Sequence, residues 1–416
     1  MMKQLTVILA LSISGSAAGQ NLDPNYEVAT WPGFTKAAVT YTFDDNCPKQ
    51  YTVVIPMFNE FGFAGTFYPV TTWSPQWADF QAAADMGHEI GSHTVTHPRL
   101  DTMDLSGQEA ELRNSLDTIN SRIIQKSGMT IAYPYCVPSD AALTKELFIA
   151  ARHCQGQIEK STPSNFYNIS SIICGESGSV KTVAHFISRF NSAANSSGWI
   201  VFLIHGIDGD GGYSSLNSDT LRGSLEYLDD HRDTHWVATF GNVVRYIRER
   251  NNISISETAI GSDTILVEVS DTLDNEIYDL PVTLRRKIPA AWGIATVMKD
   301  GDTLDHKIVV TDTEVMVEFD VVPDDGPVKI VNMDNTSVRP LAGPSSIKIF
   351  PNPFYGELQV LAAGEFHFQL FSVTGRLISE GSGSGEIRLG EGLVPGMYFL
   401  NVNSDHEMLH HRIVKL

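Results

Sequence analysis

Two short stretches of this chain hold side chains whose types and spacing suit metal-assisted hydrolysis. In MGHEIGSHTVTHPRL, Met86 to Leu100, His93 and His97 stand four apart, with Gly91 before them and Pro98 directly after. Proline disfavours helical geometry in the residue before it, so the pair reads as a strand end running into a loop. Two imidazoles there can converge on one cation, but histidines at this spacing are common and a third ligand is needed. Upstream, AAVTYTFDDN, Ala37 to Asn46, is an apolar run that ends abruptly in two carboxylates, Asp44 and Asp45. Consecutive strand-end residues point in different directions, so one Asp can bind metal while the other works on substrate. One Asp and two His with an open water position form a catalytic Zn²⁺ site on chemical grounds.

Elements able to present these residues alternate from Lys36 onward. Candidate strands are VTYTF, GTFYPV, HEIGSHT, MTIAYPY, NISSIIC, WIVFLIHGI and HWVATF. Between them the spacing predicts helices over Ser106 to Lys126, where Leu105, Leu112, Leu116, Ile119 and Ile123 recur near helical intervals, and over Asn242 to Asn251. Alternating β and α elements imply a parallel sheet, open or closed into a barrel. Asp44, Asp45, His93, Tyr135 and His205 fall at or just past strand C-terminal ends, where a β/α barrel keeps its active site.

The TFDD segment followed by HTVTH resembles the first two motifs of the polysaccharide deacetylases of carbohydrate esterase family 4. That resemblance implies a distorted (β/α) barrel for about residues 26–251, with metal held by Asp45, His93 and His97 and Asp44 as general base. The metal it implies is Zn²⁺, or another divalent ion such as Co²⁺ or Ni²⁺. VFLIHGID resembles the family's late motif and makes His205 the general acid; without that context, a histidine closing an apolar strand reads as a hydrogen-bonded core residue. The family's Arg-x-Pro-Tyr motif is matched by Ala132, Tyr133, Pro134 and Tyr135, so the Tyr135 N–H is the candidate oxyanion donor while the Arg is missing. Arg152 is the nearest candidate to replace it. The Asp-x-x-Asp-Trp motif has no clear match, which leaves His205 without an expected partner. Trp73, Trp77, Trp199 and Tyr213 could line a sugar groove, although aromatics in strands are more often core. His88 reads as packing beneath the site, and His153, His185, His231 and His235 as surface or structural residues. Asp208 and Asp210 in GIDGDGG lack the full EF-hand pattern and read as a turn.

The texture changes after Asn252. ISISETAIGSDTILVEVSDTL, LPVTLRRKIP, ATVMKDGDTLDHKIVV and TEVMVEFDVVP are short alternating strands between Asp, Gly and Pro turns, an immunoglobulin-like β-sandwich over residues 252–335 that offers no second site. A linker, NTSVRPLAGPSS, leads to a second small all-β sandwich over 345–416. There FPNPF, then VTGRLI, then GMYFL resemble the C-terminal sorting domain of type IX secretion, which implies secretion machinery as a partner and removal of the segment.

A net charge of -20 without a basic stripe argues against nucleic acid as a partner. The opening MMKQLTVILALSISGSAAGQ reads as a signal peptide, residues 1–19, and nothing later is long and apolar enough for a transmembrane segment. Export lets the four cysteines oxidise, and strand-end proximity favours Cys47 with Cys136 and Cys154 with Cys174. The leading reading is a secreted or surface-attached, metal-dependent deacetylase of an acetylated polysaccharide, O-acetyl as in xylan or N-acetyl as in chitin or peptidoglycan. The alternative is a non-catalytic carbohydrate-binding protein on a degenerate deacetylase scaffold, which the missing Arg and Trp motifs would favour.

Overall fold

The structure is a computed structural model that describes residues 25–289, 292, 295–311, 314–333, 347–352, 354–372, 376–404 and 408–415. The signal-peptide and linker readings fall outside these residues. By its internal contacts the chain divides into two units, Met1–Ser256 with Val269–Val282 and Val322–Gly326, and Glu257–Glu268 with Thr283–Val321 and Pro327–Leu416.

The first unit is built around β1, Ala37–Asp44, whose eight residues are all buried. It pairs in parallel with β2, Thr66–Tyr68, on one side and with β7, Trp199–Ile204, on the other. A strand with both faces covered is apolar nearly throughout, which is the pattern read from the sequence. Beyond β2 lies β3, Glu89–Ile90, and beyond β7 lies β6, Ile172–Ile173. A separate parallel pair, β4 (Thr130–Ala132) and β5 (Ala150–Arg152), fills the gap between these edges. Parallel bridges from Ser92 to Ile131 and from Arg152 to Ile169 join that pair to its neighbours and close the ring. An eighth strand, β8 (His235–Val237), pairs in parallel with Ala37–Val39. The result is the expected distorted (β/α) barrel.

Side chains on β1 alternate between two environments, as the period of a strand requires. Val39, Tyr41 and Phe43 join Phe58, Phe186 and Phe202 in the core cluster shared with the surrounding helices. Ala38, Thr40, Thr42 and Asp44 take the other face. Trp199 packs with Ala38 and Phe240 and donates its indole N–H to Thr40 Oγ1 at 3.0 Å. It is fully buried, so the expectation that Trp199 lines a groove is corrected: it is core.

The two expected helices are present, over Leu105–Arg122 and Phe240–Asn252. Asp104 caps the first through the Gly107 N–H and Thr239 caps the second through the Asn242 N–H, satisfying donors that the first turn leaves open.

From Ser254 on, the described residues form β-sheets with no α-helix. Residues 264–267 and 295–298 both pair antiparallel with 328–332. In the terminal segment the long strand Leu358–Ser372 pairs with Leu377–Leu389 on one side and with Gly396–Ser404 on the other. Phe354, Leu358, Val360, Phe366, Leu400 and Ile413 form its core. Both C-terminal regions are thus all-β, as the alternating patterns imply.

Candidate metal centre

The C-terminal end of β1 delivers Asp44 and Asp45 side by side, and Asp45 turns into the left-handed region with φ 69°. Asn46 secures the turn by donating to the Trp73 carbonyl at 3.0 Å and accepting from the Val70 N–H at 3.1 Å. Gln50 ties it to β7 by donating to the carbonyls of Asp44 at 2.6 Å and His205 at 3.1 Å. After β3 the chain supplies His93 and His97 from a loop in which Thr94 and His97 also have positive φ, 68° and 61°. Left-handed conformations cost non-glycine residues roughly 1–2 kcal/mol each, so their clustering here marks a backbone held in place by its surroundings.

Asp45, His93 and His97 converge with their ligand atoms within 4.8 Å of one another. His93 Nε2 and His97 Nε2 stand 3.6 Å and 3.7 Å from Asp45 Oδ1. His93 Nδ1 lies 2.7 Å from the Ala132 carbonyl, an acceptor, so Nδ1 carries the proton and the Nε2 lone pair faces the cluster. Burial lowers the pKa of His93 to about 3 and also lowers those of His97 and His205, which favours neutral imidazoles. Asp45 Oδ1 is buried without a hydrogen-bond partner among the described residues. Burial, then the charge of Asp44, pushes the Asp45 carboxyl up to about 7. Neutral imidazoles around an unsatisfied carboxylate oxygen are a donor set that fits a divalent cation.

Asp44 is set up differently. It is 2 % exposed, and Arg152 Nη1 and Nη2 donate to its two oxygens at 3.0 Å and 2.5 Å. Nη1 also donates to Thr42 Oγ1 at 2.8 Å, and the guanidinium lies 5.3 Å from the centre of the Tyr68 ring. Burial opposes the charge on Asp44, but Arg152, then His93 and His205, overcome it and hold the pKa below the ordinary carboxylate value. The two adjacent carboxyls are therefore driven in opposite directions, because only Asp44 has the bidentate cation. Arg152 stands opposite Ala132 in the register of β4 and β5, so the guanidinium missing from the Ala132 position arrives from the neighbouring strand.

His205 Nε2 lies 3.9 Å from Asp44 Oδ2 and 3.9 Å from Asp45 Oδ2, with the Tyr213 ring edge-on at 5.1 Å. Among the described residues His205 Nδ1 and Arg152 Nε are buried without hydrogen-bond partners, and for His205 this agrees with the absence of the acidic motif expected to serve it. Tyr135, with φ 55°, sits beside His97 at 4.6 Å between ring centres. The Trp73 ring also lies beside His97, 5.2 Å between ring centres, and both Trp73 and Tyr213 are about half exposed, at 47% and 54%. Trp77 instead packs against the core cluster.

The cysteine pairing differs from expectation. Cys136 bonds to Cys154, with Cα atoms 5.7 Å apart, and Cys47 and Cys174 are free and buried. The bonded pair follows Ala132 and Arg152 on adjacent strands, whereas Cys47 Sγ lies 3.8 Å from the Asp44 carbonyl and Cys174 Sγ points to the Ile172 carbonyl at 3.5 Å. The bridge thus ties the turn carrying Tyr135 to the strand carrying Arg152. His88 binds the Gly65 N–H and Asn59 beneath the site, as expected. The Asp210 carboxylate accepts from the Ile207, Gly212 and Lys49 N–H groups, and Asp208 from Ser218 N–H, so both close a turn. Thr42 and Gln50 were not singled out from the sequence; a threonine and an amide carry no signal until their partners are known.

Residues 33–148 match the family model for polysaccharide deacetylase, and residues 348–416 match that for the secretion system C-terminal sorting domain. The chain is 27% identical over 329 residues to a gellan lyase from Bacillus sp; the match takes in 73% of this chain and 13% of that relative. Among solved structures, the Xyl-CE4 domain of a multidomain xylanase from the hindgut metagenome of Trinervitermes trinervoides is 18% identical, covering 50% of this chain and 89% of that one at a TM-score of 0.36. The peptidoglycan deacetylase PdaC from Bacillus subtilis is 16% identical, covering 51% and 93% at a TM-score of 0.34.

Proposed function

From a chain that carries a polysaccharide deacetylase domain and a C-terminal sorting domain, we propose a secreted hydrolase that removes acetyl groups from a polysaccharide at the Asp45–His93–His97 centre. We place the deacetylase domain at residues 26–251, the middle β-module at 252–335 and the sorting domain at 345–416. The observation that carries the reading is the paired carboxylates: Asp44 kept ionised by Arg152, beside Asp45 poised for a cation.

Asp45, His93 and His97 would hold a divalent metal such as Zn²⁺, which supplies Lewis acidity and lowers the pKa of water. Asp44 is the base that takes the proton from the attacking water. Arg152 keeps that carboxylate charged and fixes the plane of its oxygens. His205, facing both carboxylates, acts as the general acid in its protonated form, passing that proton to the departing sugar oxygen or nitrogen. Burial, the largest effect, favours the neutral imidazole and the charge of Asp44 opposes it, so the protonated form is the minor one at rest. The Tyr135 N–H is the donor for the developing oxyanion. Trp73 and Tyr213, exposed beside His97 and His205, offer apolar ring faces to a sugar.

Acetate release from acetylated xylan, chitooligosaccharides and peptidoglycan, with and without chelator, tests this. Chelator-sensitive release from at least one is expected. No release from any would leave the binding-protein reading in its place.

A further inference from the structure

We infer that Glu111 is a positioning residue that clamps the metal-ligand loop onto the helix Leu105–Arg122 and thereby sets metal affinity; the inference rests on reading Asp45, His93 and His97 as metal ligands. Glu111 projects from the middle of the 18-residue helix Leu105–Arg122 and is 8% exposed. Its Oε2 accepts the N–H groups of Val95 at 2.8 Å and Thr96 at 2.9 Å, and its Oε1 accepts the Thr96 hydroxyl at 2.7 Å. These are the residues between Thr94 and His97, the two that adopt left-handed backbone in this loop. A loop with two such residues keeps its shape only when its surroundings over-determine it.

The loop is held from both sides, and what sets Glu111 apart is that it accepts the loop's successive N–H groups. Ser92, ahead of His93, is held by Ser115 Oγ at 2.9 Å, one helical turn beyond Glu111. Thr94 Oγ1 accepts the His97 N–H at 3.1 Å, a bond inside the loop itself. On the far side, Thr72 donates both its N–H and its hydroxyl to the Val95 carbonyl, at 3.2 Å and 2.6 Å. Glu111 is thus the helix contact that binds the loop's successive N–H groups, and the helix itself is fixed by Leu112 and Ile119, both fully buried. Without the carboxylate, Val95 and Thr96 lose three acceptor contacts, and His97 loses the constraint that aims it at His93 and Asp45. Partners outside the ligand set that hold ligands in place typically govern metal affinity by about 10–100-fold.

The test is isothermal titration of Zn²⁺ into chelator-treated full-length protein, wild type against Glu111→Ala, Glu111→Asp and Glu111→Gln, with amide exchange at Val95 and Thr96 measured in the metal-free state. Glu111→Ala is expected to weaken Zn²⁺ binding by about 10–100-fold and to speed exchange at both amides. Glu111→Asp keeps the charge but falls one methylene short, and is expected to resemble the alanine variant. Glu111→Gln is expected to stay within about threefold of wild type, because its amide oxygen accepts both N–H groups and the Thr96 hydroxyl can turn to accept from its NH₂. Wild-type affinity in Glu111→Ala or Glu111→Asp, or a glutamine variant as weak as alanine, would overturn the clamp while leaving the metal reading intact. A wild type that binds no divalent ion would remove the reading beneath it.

Discussion

Removing Arg152 should expose how much the buried acid–base core depends on one guanidinium. Arg152 and Asp44 are each 2 % exposed, and Arg152 supplies both hydrogen bonds to the Asp44 carboxylate oxygens. Breaking a buried ion pair by deleting one partner costs about 3–5 kcal/mol. In Arg152→Ala the stranded carboxylate has an escape, which is to take up a proton. From an unfolded pKa of about 3.9, protonation at pH 7 costs about 4 kcal/mol, so the loss at pH 7 should be about 3–4 kcal/mol. The sign follows from the proton count. In wild type the folded pKa of Asp44 lies below its unfolded value, so its contribution is intact at neutral pH and is lost only as pH falls through the folded pKa. In the variant the folded state binds one more proton than the unfolded state, so its stability relative to wild type falls by about 1.4 kcal/mol per pH unit as pH rises. Urea denaturation of chelator-treated wild type and Arg152→Ala at pH 5 and pH 7 is the assay, with the gap expected to widen by about 2–3 kcal/mol between the two. A gap under about 1 kcal/mol at pH 7, or one equal at both pH values, would refute the reasoning. Adding Ala132→Arg to wild type should bring no gain in kcat/KM, since Ala132 is fully buried and Asp44 already has its bidentate partner.

Four further outcomes are expected. Ala at His93 or His97 should abolish stoichiometric metal and acetate release together, as read by elemental analysis; metal retained in the double variant would reject the assignment. Peptide mapping without reduction should recover Cys136 joined to Cys154 with Cys47 and Cys174 as free thiols, and Cys154→Ser should cost about 3 kcal/mol for a loop of 18 residues. Glu249 is fully buried, its Oε2 has no hydrogen-bond partner among the described residues, and burial, then Asp271, raises its pKa to about 8. A raised folded pKa gives stability that is full below about pH 4.5 and lost as pH rises through 8, so Glu249→Gln should flatten the urea midpoint over that window and raise it at pH 9; an unchanged profile would count against the shift. Protein exported by its native host should lack roughly the last 70 residues by intact mass, because the linker before Ile347 is the place to cut; a chain ending at Leu416 would argue against processing.

The residues that act on their own local terms were legible from the sequence. An apolar run ending in Asp44–Asp45, and His93 and His97 ahead of a proline, announce strand ends and ligand spacing because strand burial and proline geometry are local effects. The all-β texture after Asn252 follows in the same way from alternation and turn residues. What the sequence left open depends on pairings across distance. Strand β5 is three residues long within ELFIAARHC and follows the helix that ends at Leu147 with no turn residue between them, so the sequence does not mark where it starts. Its residue Arg152 could be named as a candidate, but only the register that sets it opposite Ala132 brings the guanidinium to Asp44. The same strand ends decided the disulfide: four cysteines allow three pairings, and the choice fell to the two that leave β4 and β5 together. Glu111 stayed invisible for the same reason, since a glutamate on a helix reads as a solvated charge until the fold sets the N–H groups of Val95 and Thr96 against it. Local sequence determined which side chains could do chemistry; long-range strand register and helix packing decided which of them are held charged, oriented and close enough to do it.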